Sequence, residues 1–278
     1  MSRAAVPAPR AIVTRPAREA ARWTADLCAH GIDAQALPLI EIRTLREPAL
    51  RQALEQARRD LTRYRALMFV SPNAVAHFFA DSESNPALVH MQQWPAAINT
   101  RAWAPGPGTA QALRAVGVAD VLIDAPPADS AQFDSEALWP VVAAQLRPGD
   151  RVLVVRGSQT PAVPGGQGRQ WLGEQLQAAG VQADFVAAYE RGAPCLDAAQ
   201  QALARSAAAD GALWLLSSSE AVAHLGAALP GADWSRARAL ATHGRIAQSA
   251  RAAGFGTVHE CRPALADVVA SIKSLHVH

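Results

Sequence analysis

Lysine is nearly missing from this sequence: 25 of its 26 basic residues are arginine, and Lys273 is the one exception. Against 24 acidic residues the net charge is +2 at pH 7, far short of the excess shown by proteins that coat nucleic acid or membrane surfaces. Cysteine is scarce too. Cys28, Cys195 and Cys261 are odd in number, far apart and free of any C-x-x-C spacing, which excludes a disulfide framework or a zinc site and fits a reducing compartment. No stretch approaches the ~18 apolar residues that a membrane span needs, and Met1 to Arg10 lacks the apolar centre of a signal peptide. The expectation is a cytoplasmic protein with no nucleic-acid or membrane partner. Several sharp motifs are also missing. No G-x-x-x-x-G-K-[ST], H-E-x-x-H or G-x-S-x-G occurs, and Gly106-Pro107-Gly108 has Gln111 where a dinucleotide fingerprint needs its third glycine.

Alanine is plentiful. It supplies 63 of the 278 residues, which favours helix and thin helix-sheet contacts and gives enough chain for two domains or one large one. Short apolar runs ending in a polar or Gly/Pro cluster, each followed by an Ala-rich helical stretch, recur throughout, as in an α/β protein with parallel sheets. The pattern repeats in order. Ala11 to Thr14, Arg15-Pro16 and a helix ending at Gly31 match Val152 to Val155, Arg156-Gly157 and a helix ending at Gly180; Gly31 and Gly180 lie 149 residues apart, as do Leu27 and Leu176. Ala74-Val75-Ala76-His77 matches Ala221-Val222-Ala223-His224, and the unit from Trp103 to Gly117 matches that from Ala241 to Gly254. Three matches in one order indicate a duplicated chain. Leu37 to Ile42 and Phe185 to Arg191 read as extended connections between domains. The stretch from Ser158 to Gly168 reads as a loop.

In open parallel sheets ligands sit at the carboxyl ends of strands, where helix N-termini aim N–H groups outward. Each repeated junction has that form. Ser71 before Pro72 reads as a helix cap, Ser217 with Glu220 as a capping box, and Thr109 as a further cap. With Arg15 and Arg156 beside them, the junctions suit a small polyanion. As nucleophiles, Ser71 and Ser217 to Ser219 lack a positioned histidine and acid. His77 and His224 read as packing or surface residues, and His276 and His278 as a terminal tail. Arg51, Arg58, Arg59, Arg63 and Arg65 read as the solvated face of a helix whose apolar stripe is Leu50, Leu54, Ala57 and Leu61. Tyr189 either faces a cleft with its hydroxyl or is half-buried in a connecting strand.

The series Val13-Thr14-Arg15-Pro16, Phe69 to Val75, Gly106 to Ala110, Ser135-Glu136-Ala137-Leu138, Val155-Arg156-Gly157, Tyr189-Glu190-Arg191 and Leu216 to Ser219 resembles the uroporphyrinogen-III synthase family, over about residues 11–270. The resemblance implies two similar flavodoxin-like α/β domains joined by a two-stranded β-ladder, with the first strand-helix unit of each half exchanged. One lobe would then hold 1–38 and 191–278 and the other 44–184, with 39–43 and 185–190 as connectors. It implies a monomeric lyase that needs no metal or organic cofactor. Its substrate is hydroxymethylbilane, a linear tetrapyrrole with eight carboxylates, which loses water, inverts ring D and closes to uroporphyrinogen III. Carried over by matched position, Tyr189 would act on the departing hydroxyl. Arg15, Ser71, Asn73, Gly106, Thr109, Arg156, Gly157, Ser217, Ser218 and Ser219 would hold the carboxylates. His243 and Ile246 stand where the family usually has glycine and threonine. The competing readings are a non-catalytic two-lobed module that binds a polyanion and a nucleotide-binding enzyme of flavodoxin-like fold.

Overall fold

The structure, a computed structural model, describes residues 10–80, 100–159 and 167–275. His276, His278 and most of the 158–168 segment lie outside the described residues. Eleven strands are seen there: β1 Ala11–Val13, β2 Ala34–Ala36, β3 Glu41–Arg43, β4 Ala66–Phe69, β5 Arg101–Trp103, β6 Ile123–Asp124, β7 Arg151–Gln159, β8 Gln182–Gly192, β9 Leu213–Leu216, β10 Arg238–Ala241 and β11 Thr257–Glu260. The chain divides into two compact units, 1–41 with 192–278, and 42–191.

Each unit is built on one sheet. In the first the order is β11-β10-β9-β1-β2, and in the second β6-β5-β4-β7-β8-β3. The pairings β1 with β2, β1 with β9, β9 with β10 and β10 with β11 are parallel, as are β4 with β5, β4 with β7, β5 with β6 and β7 with β8. The central strands explain this arrangement. Ala66 to Phe69 and Leu213 to Leu216 are buried at every position, and a strand covered on both faces reads as a continuous apolar run. In the second unit Leu67, Phe69, Leu153 and Val155 pack to one side and Ala66, Met68, Val152 and Val154 to the other.

The two sheets are the same design with their pieces exchanged. β1 and β2 come from the first half of the chain but join the sheet of β9, β10 and β11 from the second, through the pairing of β1 with β9; β7 and β8 do the converse through β7 and β4. Register makes the match exact to the residue: Val13 lies opposite Leu215 as Val154 lies opposite Met68. Arg15 and Arg156 therefore hold the same place in the two sheets. The helices Ala17–Ala29 and Gln167–Ala178 end alike as well. Gly31 and Gly180 take φ of 76° and 70°, and each is followed by a residue whose N–H reaches back to the leucine carbonyl, Ile32 to Leu27 at 3.0 Å and Val181 to Leu176 at 2.9 Å. That Schellman closure needs a left-handed residue, which glycine supplies at least cost. The chain passes from one unit to the other at 41/42 and 191/192, within or beside β3 and β8, which are neighbours at the sheet edge. The 185–190 segment is the carboxyl half of β8.

Three local expectations are corrected. Ser218, not Ser217, precedes the helix Ser219–Ala228, and its side chain makes no capping bond, so the Ser217/Glu220 box does not form. Gly106 precedes the helix Pro107–Ala115, placing Thr109 inside its first turn, 4% exposed. Arg58 is not solvated: it is 8% exposed, donating through Nε to the Phe78 carbonyl (2.8 Å) and through Nη2 to those of His77 (2.9 Å) and Ala80 (3.1 Å). A guanidinium is drawn in there because the last carbonyls of the helix Pro72–Phe79 have no intrahelical donors. Arg51, Arg59 and Arg63 do stay exposed.

One glycine has no room for any side chain. A Cβ on Gly256 would lie 1.8 Å from the Ser235 carbonyl oxygen, while the Gly256 N–H donates to Trp234 O at 3.1 Å. The obstacle is the Ser235 backbone, and the neighbouring bond holds Gly256 against it. Gly256→Ala is expected to cost on the order of 3 kcal/mol or more, read as a fall in the urea midpoint; an unchanged midpoint would contradict this packing.

Candidate active site

The second unit gathers most of the residues singled out in the sequence. β4 ends at Phe69, and the chain turns through Val70 and Ser71 into the helix Pro72–Phe79. Ser71 is extended (φ −164°), and its Oγ accepts from the Ala74 N–H at 3.2 Å. Proline at the first helical position is pre-set for this role. Next in the sheet, β7 brings Arg156 and Gly157 to the same edge, and β8 brings Tyr189.

Tyr189 reaches this place through an irregularity. Arg156 pairs with Ala187, but Gly157 pairs with Tyr189, so β8 carries one extra residue at this point. In a regular strand Tyr189 would face away from Val186 and Ala188, since side chains alternate. The bulge turns it to their side, where it joins the cluster beneath the helix Pro72–Phe79. The ring is 2% exposed. It lies so close to Gly157 that a Cβ there would be 2.7 Å from Tyr189 Cε2 and 2.8 Å from Cζ. The His77 imidazole stands 5.5 Å from it, tilted by 33°. The phenol oxygen is 3.1 Å from Ser71 Oγ, a bond either hydroxyl can donate. The connecting-strand reading is thus nearer than the cleft reading for the ring. The hydroxyl reaches half-buried Ser71.

Gly106 begins the neighbouring helix Pro107–Ala115 with extended backbone (φ −166°); a Cβ there would sit 3.1 Å from Phe133 Cβ. Asn73 lies half-buried in the first turn beyond Ser71. Arg156 is half-buried, its guanidinium carbon 5.1 Å above the ring of Phe185, a side chain 44% exposed. Ser71, Asn73, Gly106, Thr109, Arg156, Gly157 and Tyr189 thus share the carboxyl edge of one sheet.

The first unit repeats the edge without the tyrosine. Arg15 follows β1, its guanidinium carbon 4.1 Å over the Trp23 ring and its Nη1 3.3 Å from Glu19 Oε2. Burial pushes this guanidinium below its usual pKa, and Glu19 opposes the shift. A recess beside Arg15 is lined by Arg15, Trp23, Leu215, Ser217, Thr242 and Val268, among others. Ser217 and Ser218 are half-buried and Ser219 is exposed, with its Oγ 3.5 Å from Arg245 O. At the place matching Gly106, His243 caps the helix Gly244–Ala252, its Nδ1 accepting from Arg245 N–H at 3.0 Å. Ile246, in the place of Thr109, is buried. Burial also raises the Cys261 thiol to about 11. Among the described residues no helix is long and apolar enough to cross a membrane.

Sequence reasoning missed His77 as part of the site and Gly157 as the neighbour that admits the tyrosine ring. The repeat had matched His77 with His224. The two differ because His224 Nδ1 instead contacts Leu39 O at 2.7 Å.

Fold and site together define a duplicated two-unit α/β protein whose strand ends carry arginines, hydroxyls and helix N-termini. A family model described as uroporphyrinogen-III synthase HemD matches residues 21–270. The uroporphyrinogen-III synthase of Salmonella typhimurium is 32% identical over 193 residues, 69% of each chain. A solved mutant form of the uroporphyrinogen III synthase of Thermus thermophilus aligns over 97% of this chain and 99% of its own at a TM-score of 0.55 and 16% identity. The solved synthetase of Helicobacter pylori aligns over 97% and 100% at 0.55 and 15%; likeness at this identity speaks to the fold. The chain belongs to the uroporphyrinogen-III synthase family, lyases of tetrapyrrole biosynthesis.

Proposed function

We propose that the protein closes hydroxymethylbilane to uroporphyrinogen III as a cofactor-independent cytoplasmic monomer, with the Tyr189–Ser71 hydroxyl pair acting on the departing hydroxyl. The observation that carries the assignment of residues is the pair itself, at 3.1 Å on a helix N-terminus. A hydroxyl has one proton to give and two lone pairs. Ser71 Oγ already accepts from Ala74 N–H, which leaves it one more bond to accept and one to donate. Tyr189 can donate into it while Ser71 donates outward to the leaving group, or Ser71 can donate to Tyr189 and steady the developing phenolate. Either way the positive end of the helix favours the negative charge that forms. The pyrrole nitrogen supplies the electrons that expel hydroxide, so the pair need only assist. Choosing which carbon of ring D attacks is a matter of holding the chain in place.

Holding falls to the strand ends. Ser71, Asn73, Thr109 and the backbone at Gly106 and Gly157 line one edge, and Ser217, Ser218 and Ser219 the other. Arg15 and Arg156 are the cations of the two edges. A half-buried guanidinium gains from a further carboxylate, because that partner offsets part of its lost hydration. A charge-assisted bond is worth about 1.5–3 kcal/mol, so Arg15→Ala and Arg156→Ala are each expected to raise KM for hydroxymethylbilane about tenfold or more, with kcat nearly kept. An unchanged KM in both variants would remove the arginines from substrate binding.

A further inference from the structure

The proposal here rests on the reading above and adds a residue to it. Tyr189 meets neighbours of different kinds. Ser71 bonds its hydroxyl. Gly157 leaves space where any Cβ would collide with the ring. His77 lays an imidazole against the ring at 5.5 Å and 33°. His77 and Ser71 sit at opposite ends of one short helix, Pro72–Phe79, whose carbonyl end Arg58 fixes through three bonds. Hydroxyl and ring are thus both gripped by a single rigid element, while the bulge in β8 supplies the turn of backbone that brings Tyr189 to it. We infer that His77 is a positioning residue for the reaction: through its contact with the Tyr189 ring it holds the phenol oxygen on Ser71.

Contact between two aromatic rings is worth enough to hold one rotamer against its alternatives, about 0.5–1.5 kcal/mol beyond burial. A residue that acts through Tyr189 should affect turnover rather than substrate binding, and only while the phenol oxygen is there to be placed. The test is a double-mutant cycle on the full-length protein with hydroxymethylbilane as substrate. His77→Ala is expected to lower kcat about fivefold with KM held, and His77→Phe, which keeps a ring, to restore most of the loss. In a Tyr189→Phe background, His77→Ala should lower kcat no further, since coupled residues are not additive. A second readout needs no turnover. With Tyr64→Phe, Tyr189 is the sole tyrosine, and its ring carbon signals by NMR should move on His77→Ala and stay near their parent positions on His77→Phe. An equal kcat loss in both backgrounds, or ring signals unmoved by His77→Ala, would overturn the proposal. If the unsubstituted protein made only the uninverted isomer, the synthase reading would fall instead, and the parent would already reveal it.

Discussion

Tyr189→Phe is expected to lower kcat about 100-fold, the low end of what positioned acid–base groups contribute, while KM and the unfolding midpoint change little. On the proposed mechanism the substrate's own pyrrole drives hydroxide away and the hydroxyl pair would only assist a step that already has a push, which sets the low end. The substitution removes one oxygen from a ring that otherwise stays in the same buried cluster as Val186, Ala188 and Phe78. It leaves Ser71 with its bond from Ala74 N–H. Because ring and cap both survive, a loss of rate can be assigned to the oxygen. Activity within about threefold of the parent, under ~0.7 kcal/mol, would take Tyr189 out of the chemistry.

The second large effect is expected at Gly157. An added Cβ at 2.7–2.8 Å from two ring atoms of Tyr189 cannot be accommodated unless the ring moves. The ring has nowhere to go: it is 2% exposed, with Ser71 at its oxygen and His77 beside it. Gly157→Ala is expected to destabilise the protein by about 1–3 kcal/mol, the usual cost of overpacking, and to drop kcat at least tenfold by pulling the phenol oxygen off Ser71. Thermal melts and steady-state rates would check both. A variant with parental stability and kcat would mean that the Tyr189–Gly157 contact is not the one that sets the hydroxyl.

Much of this was legible in the sequence because the repeat could be counted. Gly31 and Gly180, and Gly117 and Gly254, marked helix ends that close in the same way. Arg15-Pro16 and Arg156-Gly157 marked equivalent strand ends. What stayed hidden depends on contacts between elements. Nothing in Tyr189-Glu190-Arg191 announces that Ala188 is an extra residue, so which face the tyrosine takes could not be read from period-two alternation. Arg58 falls on the expected helix but points at the carbonyls of another, a partner 20 residues away. Three consecutive serines, Ser217 to Ser219, allowed three helix starts; the capping box placed it one residue early. The sequence marked Gly157 as a strand-end residue whose backbone would hold a carboxylate, and gave no sign that it also leaves room for the Tyr189 ring.

The measurement that bears most directly on the account is the isomer of the product. Hydroxymethylbilane generated in place would be incubated with the protein, the products oxidised, and the type I and type III porphyrins separated. The account predicts mostly type III, with the type III fraction falling toward the uncatalysed type I background in Tyr189→Phe and Gly157→Ala. Type I alone from a folded protein would contradict it, and would leave a duplicated α/β module that binds a polycarboxylate without turning it over.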